Sequence, residues 1–273
     1  MMNGNVRSNS KQKEGRDMPR FFVKMTDISE NVVTLRGDAA HHIAYALRLA
    51  AGEHITVCDG QLAYDCQLTS FSPDKSHPWV KAVVVDSHPI DTEPPYVVRL
   101  YQALPKGDKL DIIIQKSVEC GVYEVIPFES SRCVVHAKQE AEARKSERRN
   151  RIAEEAAKQC GRGMIPLVKP TMTYAQMLTH ASTADVVLFC YEADGTQPLG
   201  QVLHEKLPTL TRAQGKVTEI AVIVGSEGGF SPEEAEQAAS QGFCMIGLGK
   251  RILRCETAPI FVLSCLSYQY ELS

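Results

Sequence analysis

The chain reads as an α/β protein: a β-rich N-terminal domain carrying one helix, followed by a C-terminal domain built on a largely parallel sheet. Three observations predict this. Residues 20–88 break into short strand-like runs, strand and helix patterns alternate after Tyr96, and several of the later runs are apolar without interruption, as in strands buried on both faces. A length of 273 residues with 44% hydrophobic content suffices for one large domain or two of ordinary size.

The first seventeen residues, MMNGNVRSNSKQKEGRD, are polar and hold no apolar stretch, so they read as a disordered extension (1–17) and not as a signal peptide or membrane span. From Met18 the runs RFFVKM, NVVTLRG, EHITVCDG, AYDCQLTSF and WVKAVVVDS are rich in valine, isoleucine and aromatics and are separated by turn residues. One helical segment, DAAHHIAYALRLAAGE, interrupts them, with Asp38 placed to cap it and Gly52 to end it. A small β-barrel with one helix over 18–90 is the simplest architecture. HPIDTEPPY, with three prolines, marks a linker at about 88–95.

The second domain spans 95–273. YVVRLYQAL, VYEVIPF, ADVVLFCYE, TEIAVIVG and FCMIGLG predict strands, and GDKLDIIIQKSVECG, KQEAEARKSERRNRIAEEAAKQCG, SPEEAEQAASQG and TAPIFVLSCLSYQYE predict helices between and after them. In such sheets ligands bind beyond the carboxyl ends of the strands. Three loops stand there: after VVLFCYE, after IAVIVG and after CMIGLG.

The middle loop is GSEGGFSPEEAE, from Gly225. Its glycines permit close backbone approach or positive φ. Ser231 is placed to cap the next helix, Pro232 to open it and Glu234 to complete a capping box. The spacing matches neither G-x-G-x-x-G nor the P-loop. Glu227 would repel a phosphate, so a cationic or neutral ligand suits the loop better. A plain strand-to-helix turn would explain the glycines equally well if the loop stood alone. Downstream, LGKRILRCETA packs Lys250, Arg251, Arg254 and Glu256 between an apolar strand and an apolar helix, with Thr257 a plausible cap. Charges so placed are costly unless paired or used.

A formal net charge of −3 gives no hint of nucleic-acid binding from the whole chain, so such a role requires a local basic surface. Nine cysteines without a C-x-x-C pair fit reduced thiols and a cytoplasmic protein. No run of about 18 apolar residues occurs, which argues against a membrane span. The adjacent His41 and His42 point apart on a helix with no third ligand spaced nearby, so no metal is expected.

At GSEGGFS and LGKRILRCETA, together with MPRFFV, AHHIAYALRLAAGE and YQALPKGDKLDIIIQKSVECGV, the sequence resembles the RsmE family of SPOUT-superfamily methyltransferases, over nearly the whole chain from Met18. One departure is Ser226, where the family usually has proline. The resemblance implies S-adenosylmethionine-dependent methylation of N3 of a specific uridine in 16S ribosomal RNA of the small ribosomal subunit. It also implies a trefoil knot in the parallel domain, a PUA-like N-terminal barrel for RNA, and a homodimer with active sites near the subunit interface. Carried over, the cofactor contacts are Gly225, Glu227 and Gly228, Leu248 and Gly249, and Ile252, Leu253, Thr257 and Ala258, with Tyr191 and Glu192 from the first loop. A sulfonium without phosphate makes the carboxylate of Glu227 tolerable.

Methyl transfer to N3 requires loss of the imide proton, and a fixed cation beside O2 or O4 would ease it. Arg254 is the first candidate and Arg251 the second, with Glu256 expected to orient them; hydroxide, water or Glu227 could take the proton. For RNA contact, Arg144, Arg148 and Arg151 share one helix face, Lys145 and Arg149 widen the stripe, and Glu140, Glu142 and Glu147 dilute it, so a solvated ion-paired face is nearly as good a reading. Arg132 and Arg162 near the strand ends, and Arg20, His41, His42 and Arg48 in the first domain, complete the candidates. The alternatives are a related RNA methyltransferase with another target atom and a catalytically silent RNA-binding homologue. A nucleotide-dependent oxidoreductase is disfavoured, because ALPKGDK stands where G-x-G-x-x-G would follow the domain's first strand.

Overall fold

The computed structural model describes residues 18–136, 139–193, 195–207 and 217–273. The expected extension, 1–17, lies outside the described residues. The chain divides into two compact units between Ile90 and Asp91.

The first unit is a six-stranded sheet. Its strands are β1 (Arg20–Phe22), β2 (Ile28–Ser29), β3 (Val32–Arg36), β4 (His54–Cys58), β5 (Leu62–Phe71) and β6 (Trp79–Pro89), in the order β1-β4-β5-β6-β3-β2. All neighbours pair antiparallel except β1 with β4. Alternation sends Val33 and Leu35 of β3, Leu68 of β5, and Val80 and Ala82 of β6 into one core with Ile55 and Val57 of β4. The expected barrel is not closed: β1 and β2 end the sheet and do not pair with each other. With three and two residues they expose too few backbone groups to complete a ring.

The helix of this unit is shorter than its sequence suggests. It runs as α1 (Gly37–His41) into a widened π turn over His42–Ala46, and Arg48 then takes a left-handed φ of 55°, well short of Gly52. Asp38 does not cap it; Arg36 occupies that position without a side-chain bond, and Asp38 sits in the first turn.

The second unit holds eight parallel strands. They are β7 (Val97–Ala103), β8 (Glu124–Glu129), β9 (Leu167–Val168), β10 (Met172–Thr173), β11 (Val186–Cys190), β12 (Gln197–Pro198), β13 (Glu219–Val224) and β14 (Cys244–Gly247). Their order is β10-β8-β7-β13-β11-β14-β12, with β9 also on β8. The continuous apolar runs form the interior strands β11, β13 and β14; β13 is buried from Ile220 to Val224, whereas in β14 only Ile246 is buried. The helices are α2 (Lys109–Glu119), α3 (Gln139–Gln159), α4 (Tyr174–Ala181), α5 (Leu199–Lys206), α6 (Pro232–Ser240) and α7 (Ala258–Ser267), the last followed by a π turn over Tyr268–Leu272. α2 packs against both α3 and α7. α4, α5 and the two-residue strands were not expected from the sequence.

The prolines of 88–95 do not form a loose tether throughout. Arg162 donates from Nε to the Glu93 carboxylate at 3.1 Å and from Nη1 to the carbonyls of Val118 and Val122 at 3.2 and 2.6 Å, while the Gly163 N–H reaches Glu93 at 2.9 Å. Arg162 is therefore not an RNA contact: its side chain is 4% exposed and fastens the start of the second unit.

Candidate functional site

The carboxyl ends of β11, β13 and β14 border one cleft of about 930 Å³, joined by Lys109 at the start of α2 and Arg132 after β8. Each loop is shaped by local chemistry. Ser231 accepts from the N–H of Glu234 at 3.2 Å and its own N–H donates to Glu234 at 2.9 Å, the reciprocal box that starts α6 behind Pro232. The other oxygen of Glu234 accepts from the N–H of Ser131 at 2.7 Å, so this carboxylate also ties down the loop after β8.

Before α6 the glycine loop turns tightly, with the Gly229 N–H on the Ser226 carbonyl at 3.0 Å. A Cβ on Gly225 would lie 3.0 Å from Gly229 Cα, so backbone, not side chain, lines this wall. Phe230 is buried, stacked on Phe128 at 6.2 Å and against Phe189 at 4.3 Å. Ser226, in the position of the family's proline, is buried and its hydroxyl donates to the Arg132 carbonyl at 3.4 Å.

The cleft gathers the expected cofactor contacts Gly225, Glu227, Gly228, Leu248, Gly249, Ile252, Leu253 and Ala258, with Tyr191 and Glu192 at the end of β11. Gly249 has φ +96°, a conformation that glycine alone adopts freely. Tyr191 is fixed by its N–H on the Ile246 carbonyl at 3.0 Å. Thr257 does not border the cleft, and although it stands before α7 its side chain makes no cap.

Arg251, Arg254 and Glu256 line the same cleft, but Glu256 does not orient the arginines. Its carboxylate accepts from the Cys255 thiol at 3.2 Å and lies 3.5 Å from Lys109 Nζ. Among the described residues neither Arg251 nor Arg254 has an acidic partner. Glu227 also faces Lys109, with Nζ at 2.8 Å, and accepts from the Lys106 N–H at 3.1 Å. Partial desolvation alone would raise the Glu227 carboxyl, but the Lys109 ammonium and the backbone donors hold it below its usual range. The same balance, with Cys255 and Lys109 as partners, lowers Glu256. The Cys255 thiol, desolvated and beside Glu256, is pushed up to about 12 and stays protonated. Lys109, absent from the sequence-based candidates, is thus central to the cleft.

Arg132 borders the cleft and donates to the Gly228 carbonyl at 3.0 Å. On α3, Arg148 pairs with Asp111 and Arg151 with Glu147 at 2.6 Å, while Arg144 is exposed beside them. Arg149 does not widen this stripe: it is buried and pairs inward with Glu142 at 3.0 Å. In the first unit Arg20 Nη1 reaches Cys58 Sγ at 3.2 Å, His42 stands edge-on to Phe21, His41 lies 4.9 Å from the Tyr45 ring, and Arg48 is exposed.

Residues 92–267 match the model of the RNA methyltransferase domain family. The chain is 35% identical to ribosomal RNA small subunit methyltransferase E of Bacillus subtilis (strain 168), over 93% of this chain and 98% of that protein. Among solved structures it is similar to the ribosomal RNA small subunit methyltransferase E of Neisseria gonorrhoeae bound to S-adenosyl methionine, with TM-score 0.77, 31% identity, and 93% and 98% of the two chains covered. A methyltransferase of Legionella pneumophila in complex with the same cofactor gives TM-score 0.77 at 27% identity, covering 92% and 98%. With its strand-end cleft and this likeness along almost its full length, the chain belongs to the ribosomal RNA small subunit methyltransferase E family.

Proposed function

We propose that this protein methylates N3 of a specific uridine in 16S ribosomal RNA of the small ribosomal subunit, using S-adenosylmethionine. The observation that carries this reading is the cleft itself: glycine backbone from two strand ends meets Arg251 and Arg254, which lack acidic partners among the described residues. The wall fits the cofactor. Close-packed backbone at Gly225 offers main-chain donors and acceptors, and a loop bearing Glu227 suits a cation without phosphate.

When bound, S-adenosylmethionine supplies an electrophilic methyl group on a sulfonium sulfur. Gly225, Gly228, Leu248 and Gly249, together with Tyr191, Glu192, Ile252, Leu253 and Ala258, all bordering the cleft, would hold it there. Arg254, with Arg251 beside it, stabilises the negative charge on the uridine oxygens as the N3 proton leaves. Glu227, held ionised by Lys109, is a poor base, so the proton passes to water or hydroxide. Arg132, at the mouth of the cleft, and Arg144 on α3 face the RNA, and Arg20, His41, His42 and Arg48 form the contact surface of the first unit.

The finer architecture belongs to the same proposal. The first unit serves as a PUA-like module, the three loops after β11, β13 and β14 form a trefoil knot, and two copies associate. An apolar hollow lined by Leu199, Leu203, Leu248, Phe261 and Tyr268, with Leu272 exposed nearby in sequence, supports association through α5 and α7. Nine free thiols support a reducing, cytoplasmic setting, and no helix among the described residues is long and apolar enough to cross a membrane.

The test pairs cofactor binding with methyl transfer. The full chain is titrated with S-adenosylmethionine by calorimetry, then supplied with the labelled cofactor and small subunits lacking the modification. Binding with label in 16S RNA is expected; a chain that binds no cofactor would end the enzyme reading in favour of an RNA-binding one.

A further inference from the structure

Lys109 opens α2, and its ammonium meets two carboxylates from two different loops: Glu227 after β13 at 2.8 Å and Glu256 after β14 at 3.5 Å. Glu256 stands two positions from Arg254 and five from Arg251, in the same turn-rich loop, and either arginine would be a natural partner. Instead both arginines lack an acidic partner among the described residues. We propose that Lys109 is a positioning residue for methyl transfer: by occupying Glu227 and Glu256 it keeps Arg254 and Arg251 available to the RNA and to the uridine being methylated.

Three features carry this. Within the cleft Lys109 meets both Glu227 and Glu256, so each of these carboxylates has a cation without drawing on the arginines. Glu227 is held from two sides, by Lys109 Nζ and by the Lys106 N–H, which registers the glycine loop against the β7–α2 turn. The third is placement: Lys109 comes from a different strand end than either acid, so its loss removes one tie from each of the two loops at once. Without Lys109, Glu256 keeps among the described residues only the Cys255 thiol as a side-chain partner, and pairing with Arg254 or Arg251 of the same loop would withdraw that arginine from the substrate.

The inference rests on the methyltransferase reading of the cleft, and the experiment separates the two. Methyl transfer to small subunits lacking the modification is followed at saturating cofactor for wild type, Lys109→Met, Lys109→Arg and the double variant Lys109→Met/Glu256→Gln. Lys109→Met is expected to slow transfer at least about tenfold, the scale of a misplaced catalytic group. Lys109→Arg, which keeps the cation, should stay within about threefold of wild type. The double variant should be several-fold faster than Lys109→Met, because the carboxylate that captures the arginine is gone; a merely structural lysine would not be rescued by that change. Should Lys109→Met fail to fold, Lys109→Gln, which keeps a donor, is read in the same pairing with Glu256→Gln. Lys109→Met within about twofold of wild type, or a double variant no faster than Lys109→Met, overturns the inference. No transfer by wild type would instead overturn the reading of the cleft.

Discussion

Gln102 and Gly225 stand 123 positions apart and are joined by a hydrogen bond, Gln102 Nε2 donating to the Gly225 carbonyl at 3.1 Å. The same nitrogen reaches the Ala103 carbonyl at 3.1 Å, and Gln102 is fully buried at the end of β7. A polar side chain inside the sheet thus fixes the first residue of the glycine loop. Gln102→Leu keeps the volume and removes the donor, leaving the Gly225 carbonyl unpaired. Thermal denaturation should show a loss of about 1–3 kcal/mol. Calorimetry should show S-adenosylmethionine bound about fivefold more weakly, since about 1 kcal/mol is worth that factor.

Gly225→Ala tests the close approach directly. Its methyl group would meet Gly229 Cα at 3.0 Å and the Phe230 ring at 3.2 Å. Overpacking of this kind costs about 1–3 kcal/mol, and here the strain falls on the cofactor wall. Melting temperature and cofactor affinity should fall together; an unchanged affinity would move the cofactor away from this loop.

Arg254→Ala should leave cofactor binding within a few-fold of wild type and lower the single-turnover rate at saturating cofactor by about 10²–10³, the usual effect of removing one stabiliser of developing negative charge. Arg251→Ala should have a smaller effect. A rate within a few-fold of wild type for Arg254→Ala would remove it from the mechanism.

Arg162→Ala should act on stability instead of RNA affinity. It breaks the pair of a buried arginine with Glu93 and strips the Val122 carbonyl of its Arg162 donor, while Val118 keeps the Gly121 N–H, a change worth about 3–5 kcal/mol. Arg144→Ala, on an exposed helix face, should leave the melting temperature unchanged and weaken RNA binding in a salt-dependent way.

Stability should also fall in acid through Glu142. Burial would raise this carboxyl, but Thr171 and Arg149 hold it below the usual range. A lowered folded-state value contributes stability above the unfolded carboxylate value of about 4.3 and loses it as the pH falls through the folded value. The melting temperature of wild type should therefore drop below about pH 4.3, and Glu142→Gln should show a shallower acid limb from a lower starting point.

What the sequence shows and hides follows from the range of the interactions. The interior strands are legible because burial on both faces leaves runs such as IAVIV in β13, and α6 is legible because its box lies within four residues. Thr173 and Gln176 form the same local box at α4, a signal that was available but weak beside so short a helix. β9, β10 and β12, with two residues each, carry no periodicity to read. In the site, the glycines and the basic cluster were visible as local composition. Lys109 was not, because its partner Glu227 lies 118 positions away and no local pattern records such a pair. Arg162 and Arg149 misled for the same reason: each looks solvated among charged or glycine neighbours, and only tertiary carbonyls and carboxylates reveal that they are buried.

The identity of the methylated nucleoside tests the proposed activity at its target atom. Small subunits lacking the modification are incubated with the full chain and labelled S-adenosylmethionine, and their RNA is digested and separated. N3-methyluridine is the expected labelled product, abolished or strongly reduced with Arg254→Ala. Label in a ribose 2′-O-methyl group or in another base would contradict it.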